Sequence, residues 1–151
     1  MPKTVVYCIA DIPHLQLLLK PMSGFVDNIE DLTLNNSNFR SVIFTGKHTQ
    51  LVLMCLQPGE EIGKEVHPDV DQFFRFEKGQ GRVQIDQEEF TVSDGFAVVV
   101  PAGLEHNVIN ISPTDNLKFY TLYSPPHHRD QVVHQTKSDA QMDLTDQPEV
   151  A

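Results

Sequence analysis

The sequence predicts an all-β sandwich or barrel. Short apolar or alternating runs recur from Arg40 onward, each closed by turn chemistry, and none carries a convincing helical period. The length of 151 residues suits one compact domain with extensions rather than two domains. With hydrophobic residues at 40% and charged residues at 21%, the chain is apolar enough to bury a core and too apolar to be disordered.

Taken in order, the first forty residues carry the weakest pattern. Asp11 is placed to cap a short helix over 12–20, with Pro13 tolerated in its first turn and Pro21 ending it. Asp27, Glu30 and Asp31 form an acidic, exposed patch, and Asn35-Asn36-Ser37-Asn38 reads as a turn. The strands follow: 42–45 before Gly46, 51–57 before Pro58-Gly59, 72–76 before Gly79, then 82–86. They continue as 90–92 before Asp94-Gly95, 96–100 before Pro101, 107–111 before Ser112-Pro113, and 117–123 before Pro125-Pro126. Residues 137–151 are polar and net acidic and read as a mobile tail. The organisation expected is an N-terminal extension over 1–39, a barrel over 40–126, and a partly mobile C-terminal tail over 127–151.

Charge and cysteine content narrow the function. Eleven Lys and Arg against 21 Asp and Glu give a net charge near −10. That balance speaks against a sequence-independent grip on nucleic acid and against binding to anionic membrane. No apolar run approaches the ~20 residues that span a bilayer, and no convincing signal peptide opens the chain, so a cytoplasmic location is expected. Cys8 and Cys55 form no Cys-x-x-Cys pair. Cys55 lies in the run Leu51-Val52-Leu53-Met54-Cys55-Leu56 and is expected to pack as a small hydrophobe. A Cys8–Cys55 disulfide is not favoured.

Two segments carry the chemistry. In the first, Gly63-Lys64-Glu65-Val66-His67-Pro68 is followed by Gln72, five residues after His67, and by Gly79, seven after Gln72. Glu65 and His67, two apart on an extended strand, point to one face, and Gln72 approaches from the neighbouring strand. In the second, Gly95, Pro101, Gly103, His106 and Asn110 mark a turn into an apolar strand, a tight Pro-Ala-Gly turn, and a histidine at the start of the next strand. Glu65 could be a solvated charge. Asp69 and Asp71 flank a proline and read as turn residues rather than ligands. If Gln72 faces inward, alternation sends Phe74 and Phe76 to the same side, with Phe73 and Arg75 outside; Val108 and Asn110 share a face with His106. His127, His128 and His134 form a further group, expected to be exposed surface, although one of them could fold over the barrel mouth as an acid–base residue.

These two segments resemble the motifs of the cupins, small double-stranded β-helix (jelly-roll) barrels. The stretch from Gly95 to Asn110 fits the family pattern at every fixed position. The first motif fits in spacing and departs in letters: Glu65 stands where the first histidine of a His-x-His pair is usual, and Gln72 where a glutamate is usual. His67 and Gly79 keep their places. The resemblance covers about residues 50–123 and implies an all-β cupin barrel with a short N-terminal extension. It also implies one divalent metal ion inside that barrel, with Glu65, His67, Gln72 and His106 as its ligands. Two imidazoles, a carboxylate and an amide oxygen suit Zn, Mn, Fe or Ni, and ligand softness does not choose among them. Without Gln72, the remaining two histidines and one carboxylate match the facial set of non-haem Fe(II) oxygenases.

Fold does not settle function. The favoured reading is a metal-dependent enzyme using the ion as a Lewis acid on a small polar metabolite, a sugar or sugar phosphate being the best match. The warrant is that phosphomannose isomerases, which share the barrel, use two His, one Glu and one Gln. No basic cluster suited to a phosphate is visible, Lys64 and Arg75 being isolated. A non-haem Fe(II) dioxygenase is the alternative, and a non-catalytic metal-stabilised binding module is a third. The family resemblance also implies a homodimer, with the N-terminal extension as the element exchanged.

Overall fold

A computed structural model of the chain describes residues 24–146. The helix expected over 12–20 and Cys8, with the Cys8–Cys55 pairing, lie outside the described residues. The architecture is all-β, as the strand-and-turn pattern predicts. Among the described residues nine strands are formed: β1 (Arg40–Thr45), β2 (Gln50–Leu56), β3 (Asp71–Lys78), β4 (Gln80–Ile85), β5 (Glu88–Ser93), β6 (Ala97–Val100), β7 (His106–Asn110), β8 (Leu117–Ser124) and β9 (Val133–His134). They make a six-stranded sheet, β6-β3-β8-β2-β1-β9, facing a three-stranded sheet, β5-β4-β7. Every strand pairing is antiparallel.

The core fills the space between the sheets. Val52, Met54 and Leu56 of β2, Phe74 and Phe76 of β3, and Phe119 of β8 meet Val83, Val92 and Val108 of the smaller sheet. The rings of Phe74, Phe76 and Phe119 pack with centroids 5.2–6.4 Å apart. Each such ring, fully buried, stabilises the fold by about 1.5–3 kcal/mol. The alternation expected of β3 holds. Gln72, Phe74 and Phe76 face inward, while Phe73 and Arg75 are partly exposed on the outer face. In β2 both faces are buried, which explains its unbroken apolar run.

Two motif residues have structural work of their own. Gly79 turns the chain from β3 into the other sheet at φ +97°, and a Cβ there would come within 2.6 Å of the Asn116 carbonyl oxygen. Only glycine fits. Asn110, at the end of β7, directs its side-chain NH2 at the carbonyls of Leu56, Gln57 and Asp115 (2.8–3.0 Å), and its Oδ1 accepts from the Ser112 N–H at 3.0 Å. It thereby ties the end of β2 to the turn before β8.

The flanking segments differ from expectation. A helix, α1 (Ile29–Asn35), occupies part of the stretch read as a patch and a turn. Asn28 caps it by accepting from the Asp31 N–H, and Lys118 Nζ donates to the Leu34 carbonyl oxygen at 2.6 Å. Seven residues are too few to show a period, so only the cap betrays the helix. Asp27, Glu30 and Asp31 are exposed, as expected.

Within the stretch read as a tail, residues 137–146 carry regular structure. After β9 pairs with β1, helix α2 (Lys137–Met142) starts in a capping box between Thr136 and Asp139. A 3-10 turn, Leu144–Asp146, then buries Asp146. Polar composition misled here because paired acids, not apolar residues, anchor the segment. Among the described residues no helix is long and apolar enough to cross a membrane.

Replacing Asn110 with Ala strips four backbone groups of their side-chain partner in a buried position. Asn110→Ala is expected to lower the unfolding free energy by about 2–3 kcal/mol, read from the urea midpoint at unchanged m-value.

Candidate metal centre

Three elements bring the donors together. The segment before β3 runs antiparallel to β7 through a bridge between Glu65 and His106, with N–H···O bonds of 2.9 and 3.0 Å in both directions. Two residues on, the His67 carbonyl accepts from the Gly103 N–H at 2.9 Å, which joins the first motif to the Pro101-Ala102-Gly103 turn of the second. Asp71 Oδ1 accepts from the Ala102 N–H at 2.8 Å, so Asp71 fixes that same turn and is no ligand candidate. Val66 points outward and is half exposed, while Glu65 and His67 turn inward.

Donor atoms of Glu65, His67 and His106 lie within 4.8 Å of one another. His67 Nε2 stands 3.4 Å from Glu65 Oε2, a spacing close to that of two donors each ~2.1 Å from one ion. His67 is 6% exposed, and its buried Nε2 has no hydrogen-bond partner among the described residues. An orphaned buried nitrogen costs about 1–3 kcal/mol, and a cation would satisfy it.

His106 is oriented by its other nitrogen. Nδ1 faces the Leu104 carbonyl oxygen at 3.0 Å, so it carries the hydrogen and leaves a lone pair on Nε2, the arrangement that prepares imidazole for a metal. Burial keeps the ring below its ordinary pKa, although the Leu104 hydrogen bond and the Glu65 charge oppose the shift. Gln72 Oε1 lies 2.9 Å from that Nε2, while Gln72 Nε2 donates to Thr121 Oγ1 at 3.0 Å. Two lone pairs thus face each other, an opposition that a cation relieves. Turning the amide so that its NH2 meets the ring relieves it as well. Burial raises the Glu65 carboxyl, but the cationic influence of His67, Arg40 and His106 around it outweighs burial. The carboxyl stays below the usual range and ionised. All four residues expected at the centre therefore meet in one place, and their chemistry fits a divalent ion.

The second histidine group is not exposed surface. The ring of His127 lies 4.3 Å from that of His67 and stacks on Tyr123 at 5.3 Å. Its backbone is held by Gln50, a fully buried residue whose Oε1 accepts from the N–H groups of His127 and His128 and whose Nε2 donates to the His128 carbonyl oxygen. The chain at 127–128 is therefore clamped against β2, which is why the expectation of exposed surface fails. Burial and the neighbouring histidines push the His127 pKa down to about 4. His128 donates from Nδ1 to Asp146 Oδ2 at 3.0 Å, and His134 Nε2 lies 3.0 Å from Asp143 Oδ2.

A cavity of about 180 Å³ opens beside Glu65 and His127, between them and the C-terminal segment. It holds a residue the sequence reading passed over, Arg40, and the rim residue Lys137. The isolated Lys64 and Arg75 instead face Glu105 and Glu77 elsewhere.

The family model for the cupin domain matches residues 52–123. The uncharacterized protein YrkC of Bacillus subtilis is 48% identical over 132 residues, covering 82% of this chain and 70% of YrkC. This chain belongs to the cupin family. The crystal structure of BH2720 from Bacillus halodurans superposes with a TM-score of 0.77 at 44% identity, covering 80% of this cupin and 95% of that chain. A Klebsiella pneumoniae protein described as having a double-stranded beta-helix domain matches at TM-score 0.59, with 18% identity and coverage of 75% and 100%. That match shows the fold alone.

Because the folded pKa of His127 lies below its unfolded value near 6.5, the unfolded chain binds the extra proton between those values. Its contribution to stability is present above about pH 6.5 and is lost as pH falls toward 4. In protein stripped of metal, stability is expected to fall by up to ~1.4 kcal/mol per pH unit across that window on account of this ring. The slope should be shallower in His127→Gln, measured by urea denaturation at several pH values.

Proposed function

We propose that this cupin binds one divalent ion through Glu65, His67 and His106, with Gln72 at a fourth position, and acts as a metal-dependent enzyme on a small polar metabolite. The observation that carries the reading is the partnerless Nε2 of His67, buried within reach of the Glu65 carboxylate. When bound, the ion supplies Lewis-acid polarisation of a carbonyl or hydroxyl oxygen.

The chain's own residues do the rest. Leu104 sets the His106 tautomer, and Thr121 holds Gln72 toward the ring. His127, unprotonated at neutral pH and lining the cavity, is the group placed to accept a proton from a bound molecule. Tyr123, on which it stacks, stays protonated because burial raises its pKa. Proton transfer of the isomerase kind uses these parts directly. The second reading, an Fe(II) dioxygenase, draws support from the tight grouping of two histidines and one carboxylate.

The homodimer remains part of the proposal. Its support is the exposed apolar surface of Phe96 and Val99 at the β6 edge of the larger sheet.

Metal analysis of protein purified without a nickel column tests the centre. One equivalent of a divalent ion is expected, and loading at a hundred times Kd should stabilise the fold by about 2.7 kcal/mol. His67→Ala and His106→Ala are expected to weaken binding by about a hundredfold or more, since even losing a residue that only orients a ligand costs 10–100-fold. Unchanged metal content in either variant overturns the site. Zinc or manganese with aldose–ketose exchange supports the first reading; iron with substrate-dependent oxygen uptake supports the second.

A further inference from the structure

Arg40 begins β1, with its backbone paired to Met54 of β2 on one side and His134 of β9 on the other. Its side chain is only 9% exposed and borders the cavity beside Glu65. A guanidinium so deeply buried is costly unless carboxylates or other acceptors take its five N–H groups. Among the described residues that demand is not met. Nε has no hydrogen-bond partner, and the nearest carboxylate contact is Nη1 to Asp146 Oδ2 at 3.7 Å, well beyond the 2.7–2.9 Å of a charge-assisted bond.

Asp146 is in any case already engaged. Its Oδ2 accepts from His128 Nδ1 at 3.0 Å and its Oδ1 from the Arg129 N–H at 2.7 Å. Phe39 offers Arg40 only its ring, 5.5 Å from the guanidinium carbon.

The charges of the cavity point the same way. Arg40 and Lys137 balance Glu65 and Asp146, so a divalent ion on Glu65, His67 and His106 leaves a surplus of two positive charges. An anion is the ligand that such a cavity favours. At about 180 Å³ the space is below the ~300–1,000 Å³ typical of sites for drug-sized ligands. One buried guanidinium presents a planar fork that matches the two oxygens of a carboxylate.

We propose that the cavity takes a short-chain carboxylic acid, its carboxylate held by Arg40 and its remaining oxygen turned toward the Glu65–His67–His106 centre. This names the substrate class for the metal-centre reading and rests on it. It replaces the sugar phosphate with a smaller anion whose carboxylate is planar.

Calorimetric titration tests it on the cobalt-loaded full chain, with lactate, pyruvate and malonate as probes and lactamide and inorganic phosphate as comparisons. At least one of the three acids is expected to bind, and lactate at least about tenfold more tightly than lactamide. Arg40→Gln should retain one cobalt per chain while losing about tenfold or more of the affinity for the acid. Arg40→Lys keeps a charge facing Asp146, guards against a misfolded first variant, and should lose several-fold of that affinity because an ammonium offers no fork.

Equal binding of lactate and lactamide, tighter binding of phosphate than of every acid, no binding of any acid, or wild-type affinity in the folded variants overturns the proposal. If wild-type protein takes up no cobalt, the metal reading fails by itself. The same titrations on metal-free protein then decide the Arg40 assignment.

Discussion

A buried imidazole nitrogen without a partner costs free energy, and a cation that meets it removes that cost. At His67 that constraint organises the site. The ring sits between Tyr123, His106 and His127 with its Nε2 buried and unmatched among the described residues. Around it three groups are held from behind: His106 by the Leu104 carbonyl, Gln72 by Thr121, and the His127 backbone by the Gln50 clamp. Second-layer hydrogen bonds of this kind hold ligands in one rotamer and tautomer. The β framework supplies them because β3 is held in antiparallel register on β8 in one sheet and β7 on β4 in the other, and a one-residue slip in either pairing would turn its side chains to the other face.

Much of this was legible in the residues. Alternation along β3 correctly put Gln72, Phe74 and Phe76 on one side, because a strand buried on one face has a period that the sequence must obey. The two-residue offset of Glu65 and His67, and the turn before His106, likewise express backbone geometry that short motifs encode. Gly79 and Asn110 were visible as motif letters, though their tasks emerge only from what they touch: the Asn116 carbonyl for one, three carbonyls on two segments for the other.

What escaped the sequence were contacts made at long range by residues without a pattern. Arg40 is a single charge at a strand start, and nothing nearby in the chain says that it points inward. Gln50 lies 78 positions from the backbone it clamps at His128. The C-terminal acids Asp143 and Asp146 look like solvated charge until His134, His128 and Arg129 are found against them. Buried polar pairing leaves no period and little compositional trace, so this part of the cavity wall could be read only from the fold.

The Gln50 clamp also has a bearing on how the cavity is held together. The His127–His128 backbone rests on Gln50 at the start of β2, and Asp146 in turn rests on His128. The border of the cavity is therefore fastened by a relay of polar contacts rather than by sheet register alone. A single amide then fixes a wall built from residues nearly eighty positions further along the chain.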